Sequence, residues 1–498
     1  MADEVPQDER RRDGDAAPAR PYVGDVGEPV EGVGAKGALG FGMVLLSIAV
    51  GFVIGFLVWG VFRLSTALTD LLWGGLGTAV GDAPVLAALL PLIVCAVGGL
   101  IIGLWTTFVG GEPRSLEEVM GQVKLTGGYR VDGAGKSVVG FLLPIVFGGS
   151  IGPEAGLTGL IAAACTWIGR TLRSAGLRAK AIADVTVSAA LAAIFATPLV
   201  GIVATAQDAM PRDRDATADK VDGGATSDEG RAAPDPADYD FRRWAKIVLY
   251  AASAFGACAG IVCLGMLAGP SGGLPHFDGI VPQPGLLWWT IPCIAFGYVL
   301  ALLFHAGSRA FARLGSAFGR HTVIKPVVAG VVLGAVALAL PDVLFSGEAQ
   351  SHEIMESWQA SGAVVLAATA VAKALLTPLC LNLGWRGGSF FPCIFAGISG
   401  GYAIAVVSGV DPMFCVAMVT AATVAGMMRK ALPALALLLL CFPVDSLVWM
   451  GLACILGATL PMPRALFRQS SKPSAADADA AGDSAASDSA VEGPAART

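Results

Sequence analysis

Runs of apolar residues long enough to cross a lipid bilayer constrain this chain more than any other feature. Residues 39–61 (LGFGMVLLSIAVGFVIGFLVWGV) and 84–109 (PVLAALLPLIVCAVGGLIIGLWTTFV) contain no charged side chain. About 20 helical residues rise through the roughly 30 Å of hydrocarbon in a bilayer. Backbone N–H and C=O groups find no water there, so each run must close its own hydrogen bonds as a helix. Comparable runs recur at 141–170, 185–206, 245–268, 286–305, 324–341, 362–381, 389–409, 412–442 and 444–460. They predict ten or eleven crossings or partial crossings. Composition agrees, with 55% hydrophobic and 14% charged residues, far too apolar for a soluble chain of this length. The expected fold is therefore an all-α polytopic membrane protein. A net charge of -6 gives no reason to expect nucleic acid as a partner; membrane lipid is the expected surroundings.

Two of these runs are broken in the same way. In the second half, Gly387 and Gly388 precede Ser389, Phe390, Phe391 and Pro392. The glycines are expected to take backbone angles closed to other residues and to leave no side chain in a ligand's way, while Pro392 suits a first helical turn. A helix is predicted to begin near Ser389. Its first amides have no carbonyl one turn back, and the helix dipole places partial positive charge behind them. Such a start is an anion site. No charged residue lies between Arg386 and Asp411, which sets this start within the membrane. The first half repeats the pattern as Gly148-Gly149-Ser150-Ile151-Gly152-Pro153-Glu154. Matched interruptions in two halves point to an inverted-repeat transporter, with its substrate between broken helices at mid-membrane. The candidate anion-binding residues are Gly149, Ser150, Ile151 and Gly152 with Gly388, Ser389, Phe390 and Phe391.

The halves are separated by a polar stretch. Residues 1–36 and 468–498 have the composition of disordered tails, 37–210 and 244–467 form the two membrane halves, and 211–243, rich in Asp, Gly and Pro, reads as a linker. The basic residues Arg170, Arg173, Arg178 and Lys180 stand together without an acid, which favours a cytoplasmic side for that segment. The ten cysteines show no paired metal-ligand spacing and the four histidines are scattered. No metal, cofactor or enzymatic activity is expected.

At these motifs the sequence resembles the CLC family of chloride channels and chloride/proton exchangers. The resemblance is carried by Lys373-Ala-Leu-Leu-Thr-Pro-Leu-Cys380 through Gly388-Ser389-Phe390-Phe391-Pro392, which fits the family's Gly-x-Phe-x-Pro. Gly149-Ser150-Ile151-Gly152-Pro153 stands at its Gly-(Lys/Arg)-Glu-Gly-Pro, and Phe195-Ala-Thr-Pro-Leu-Val-Gly-Ile202 and Met428 to Leu460 follow in the family's order. The resemblance implies the CLC-type inverted repeat of tilted and broken helices. It also implies a homodimer with one anion pathway per subunit, chloride or a similar small anion as the ion, and a multi-pass location in the cell membrane with cytoplasmic tails.

Departures from the family pattern set the functional expectations. Ile151 stands where the family carries its gating glutamate, and the nearest acid is Glu154, three residues on. Glu154 is a candidate displaced gate or proton relay, or else a buried acid bonded to nearby backbone. Ten residues beyond Pro198, Asp208 stands where the exchangers carry an inner proton-transfer glutamate. Glu112-Pro-Arg-Ser-Leu-Glu-Glu118 replaces the family's Gly-Ser-Gly-Ile-Pro, leaving Ser115 as the serine in that region. Because Ile151 cannot titrate, anion transport with weak or absent proton coupling is the expectation. The alternatives are a proton-coupled chloride exchanger using Glu154 and a secondary transporter of another small anion.

Overall fold

The computed structural model describes residues 33–81, 83–110, 134–154, 188–193, 198–199, 202, 236–269, 273–319, 322–439 and 441–463. Asp208, Ser115, Cys165 and the basic cluster at 170–180 lie outside them.

Within the first half, α1 runs Val33–Val80, α2 Pro84–Phe108 and α3 Ala134–Val146. The second half contains α4 (Pro236–Ala268), α5 (Leu286–Ala317), α6 (Ile324–Ala337), α7 (Glu348–Ser361) and α8 (Ala363–Asn382). It continues with α9 (Phe390–Ser408), α10 (Pro412–Met428), α11 (Ala431–Leu438) and α12 (Leu447–Thr459). Among the described residues the one β pairing is an isolated antiparallel bridge between Gly152 and Gly388. Among the described residues six helices are long and apolar enough to cross a membrane: those within Phe41–Val80, Pro84–Phe108, Ile247–Ala268, Leu286–Ala317, Ala363–Asn382 and Phe390–Ser408. The molecule is a multi-pass membrane protein.

Several boundaries differ from the sequence reading, among them the start of α1 at Val33, inside the stretch expected to be tail, and the end of α5 at Ala317 rather than 305. The first span continues well past residue 61 to Val80, because Arg63, Ser65 and Asp70 are too few to break a helix. Helix α4 begins at Pro236, inside the stretch expected to be linker; proline is at ease in a first helical turn. The run 412–442 is cut after Met428, where Arg429 turns left-handed (φ 55°) and caps α10 through its N–H to Ala425 O.

Close backbone approach holds the helices together, as expected where lipid offers no hydrophobic drive for their association. Gly51 and Gly55 of α1 lie on the backbone of Ser253 and Ala257 in α4, and Gly330 of α6 lies on Cys95 of α2. Among the described residues the most enclosed element is α10, buried continuously from Phe414 to Met427. Gly397 and Gly401 of α9 seat against its Thr420 and Val416, Gly297 of α5 against Val419, and Gly457 of α12 against Ala422. Helix α9 is almost as enclosed, and its first residues face the break in the first half.

Candidate functional site

The site is built where the two glycine breaks meet. Helix α3 ends in a left-handed turn: Gly148 has a φ of 85°, its N–H donates to Ile145 O at 3.0 Å, and the Gly149 N–H donates to Pro144 O at 2.8 Å. This Schellman-type closure satisfies carbonyls that the helix end would otherwise leave bare. The chain then runs extended, and Gly152 exchanges both backbone bonds with Gly388, at 2.8 and 2.7 Å. The second break is held from below by Trp385, fully buried, whose Nε1 donates to Pro326 O at 2.8 Å.

Helix α9 begins with Ser389 as its N-cap, as the sequence predicts, but the serine side chain makes no capping bond. The cap comes from the other half of the molecule. Phe390 and Phe391, the first two residues of α9, donate their N–H groups to Glu154 Oε1 at 2.6 and 3.3 Å. The Glu154 amide also donates to its own carboxylate. The residue is only 2% exposed, so these donors and the dipole of α9 replace water around the charge. A carboxylate thus occupies the anion site that the α9 start was expected to form.

Four expectations change in detail. The Gly149–Gly152 amides were expected to face the ion, but those of Gly149, Ile151 and Gly152 donate to Pro144 O, Gly149 O and Gly388 O, and Gly388 donates to Gly152 O. These amides are taken up within the frame, Gly149 and Ile151 by carbonyls of their own segment and Gly152 and Gly388 by each other, because buried N–H groups take the partners at hand. The Ser150 hydroxyl pairs with Thr377 Oγ1 at 3.3 Å, and Thr377 in turn donates to Lys373 O at 2.9 Å; it anchors the first break to α8. Ile151 is fully enclosed in an apolar cluster with Cys95, Ala329, Leu333, Leu379 and Trp385. It packs on Gly387, so the one-turn step from Ile151 to Glu154 exchanges an oily position for the first amides of α9. Finally, neither Gly387 nor Gly388 lies in the left-handed region. They are glycine because a Cβ would strike Ile151 at Gly387 and the Glu154 carboxyl at Gly388, and a Cβ at Gly152 would strike the same carboxyl.

Lys373 braces the site. Fully buried in α8, its Nζ donates to the carbonyls of Val343, Leu344 and Phe345 at 3.0, 2.9 and 2.7 Å, and lies 5.1 Å from the Phe395 ring centre. Phe345, held at a φ of 60°, passes its own N–H to Gly148 O at 3.0 Å. The sequence reading used Lys373 only as part of a motif. A lone cation in an apolar run was the available signal for this brace. Among the described residues no group of three or more His, Cys, Asp or Glu is placed to hold a metal.

Known proteins share this arrangement in part. Residues 238–461 match the family model described as voltage gated chloride channel. That match lies in the second half of the chain, where the sequence is similar to members of that family. Over 128 residues it is 29% identical to chloride channel protein CLC-f of Arabidopsis thaliana, a stretch covering 24% of this chain and 16% of that relative. Among solved structures, a CLC-type fluoride/proton antiporter superposes with a TM-score of 0.62 at 15% identity, over 86% of this chain and 97% of the other. A slow cyanobacterial Cl-/H+ antiporter gives 0.60 at 18% identity, over 85% and 98%. A eukaryotic CLC transporter gives 0.59 at 16% identity, over 84% and 71%. At these identities the likeness shows the fold, the CLC-type inverted repeat of tilted and broken helices.

Proposed function

We propose that this protein carries a small anion, chloride by default, across the cell membrane, with Glu154 as the gate of its pathway. One observation carries the reading: the first amides of α9 hold a buried carboxylate supplied by the opposite half of the molecule. Amides that hold a carboxylate oxygen suit a halide equally, since both are anions of similar demand for N–H donors. Several partial charges hold an ion firmly enough to admit it and weakly enough to release it, which a full cationic side chain would not. Glu154 therefore competes with the transported ion for one site.

The expectation of weak proton coupling rested on Ile151 standing at the gate. Because the carboxylate of Glu154 lies on the α9 amides, the proton-linked exchange using Glu154 is the reading that we adopt. Charged, the side chain fills the anion site; protonated, it loses most of its attraction for the amides and yields to the ion. Asp208 is retained as the candidate relay toward the other membrane face, and the homodimer and cytoplasmic tails as the expected assembly and orientation. Support for these comes from the family alone.

The test is anion efflux from liposomes containing the purified protein, with proton movement recorded in parallel. An imposed chloride gradient should drive proton movement in the wild type, and Glu154→Gln should abolish that movement while chloride flux continues. Equal proton movement in both forms would remove Glu154 from the gate. Replacing chloride by fluoride, nitrate or small carboxylates in the same assay identifies the ion.

A further inference from the structure

The Nζ of Lys373 meets three acceptors at once, the carbonyls of Val343, Leu344 and Phe345 at 3.0, 2.9 and 2.7 Å. A neutral amine carries two hydrogens and an ammonium three, so three donated bonds require the ammonium. The side chain is fully buried. Among the described residues the groups in contact with Nζ are uncharged: the three carbonyls and the Phe395 ring, centred 5.1 Å away. Asp342, half-buried in the turn after α6, acts on it electrostatically. A whole positive charge therefore stands in the interior, solvated by peptide dipoles and with no carboxylate bonded to it.

Its contacts tie that charge to both breaks. The Phe345 peptide takes Nζ on its oxygen and gives its own N–H to Gly148 O at 3.0 Å, which leaves one peptide unit between the ammonium and the first break. The Phe395 ring belongs to the second turn of α9, five residues past Phe390, or roughly 7.5 Å along the helix axis. The ammonium thus stands on the order of 10 Å from the amides that hold Glu154, behind the start of α9 rather than among its donors.

We propose that Lys373 is the fixed positive charge of the anion pathway, a positioning residue that raises the affinity of the α9 start for an anion without touching it. A cation in contact would trap the ion. One about 10 Å away adds a shallower attraction, about tenfold in affinity at an effective dielectric of about 20. The ionised Glu154 carboxylate feels the same attraction, so gate and ion are strengthened alike and their competition is preserved. Such a charge reads valence and not size, and it favours every monovalent anion equally.

This inference rests on the α9 start as an anion site, and its test separates the two ideas. Chloride binding to the purified full-length protein in detergent is measured by calorimetry. The Glu154→Gln form is used, so that the carboxylate does not compete, alone and combined with Lys373→Gln or Lys373→Arg. Lys373→Gln keeps two N–H donors for the carbonyls but drops the charge, and should weaken chloride about tenfold. Lys373→Arg keeps the charge and should stay within about threefold of the parent. Nitrate should weaken by the same factor as chloride, an outcome that damage to the shape of the site would not produce. Nitrogen NMR of the lysine-labelled wild type at pH 7 tests the charge with no substitution, and every lysine should appear as ammonium. Unchanged chloride affinity in Lys373→Gln, an equal loss in Lys373→Arg, or a neutral amine in the wild type would each overturn the role of Lys373 and leave the anion site standing. Absence of chloride binding in every form would discard the anion site, and this inference with it.

Discussion

The two glycine breaks, Gly148 to Glu154 and Gly384 to Phe391, use nearly the same residues and contribute opposite things. The first closes a helix with a left-handed glycine, ties its amides to internal carbonyls, and delivers a carboxylate. The second opens a helix, leaves its serine out of the cap, and delivers amides. Their extended segments pair through Gly152 and Gly388, so each supplies what the other lacks. Similarity of motif therefore does not mean similarity of role. What a Gly-Gly-Ser stretch does depends on whether it follows a helix or precedes one, since helix ends offer carbonyls and helix starts offer N–H groups.

The comparison is broken most completely by filling the space between the breaks. Gly388→Val should abolish anion flux, because its Cβ would overlap the Glu154 carboxyl and its branches would press on the pairing with Gly152; overpacking of this kind costs about 1–3 kcal/mol. Flux at wild-type levels in a folded Gly388→Val protein would show that the two breaks do not form one site. Next in size is Glu154→Gln, with proton movement lost and chloride flux retained. If the variant instead loses both together, the carboxylate is a structural cap and not a gate.

Lys373→Met leaves three carbonyls on the arm that holds Gly148 without their donor. A loss of about 1–3 kcal/mol is expected for each acceptor left buried and unsatisfied, read as a lower melting temperature in detergent. An unchanged melting temperature would mean that the arm is not braced by this side chain. The smallest effects distinguish the two serines. Ser150→Ala removes a buried hydroxyl from the Thr377 pair and should cost about 1 kcal/mol, whereas Ser389→Ala, whose hydroxyl caps nothing, should leave both melting temperature and flux nearly unchanged. Equal effects in the two variants would restore a symmetric role for the breaks.

Much of the architecture was legible in the sequence because a bilayer makes local demands. A run such as 84–109 or 362–381 has to be helical wherever it sits, and Gly-Gly-Ser with a following proline marks a helix start within a residue of where α9 begins. The sequence also named Phe390, Phe391 and Glu154, from a helix start without charge and an acid within the membrane. It did not place them together, since the 236 positions separating Glu154 from Phe390 are closed only by the inverted packing of the halves. Ile151 taught the converse: matched by motif to the gate, it lies in the oily cluster with Leu379 and Trp385, which the fold brings from the other half of the chain. Local hydrogen-bond demand and apolar length are properties of a segment and are written in its residues. Which buried carboxylate meets which helix start is a property of the packing between segments, and only the tertiary structure decided it.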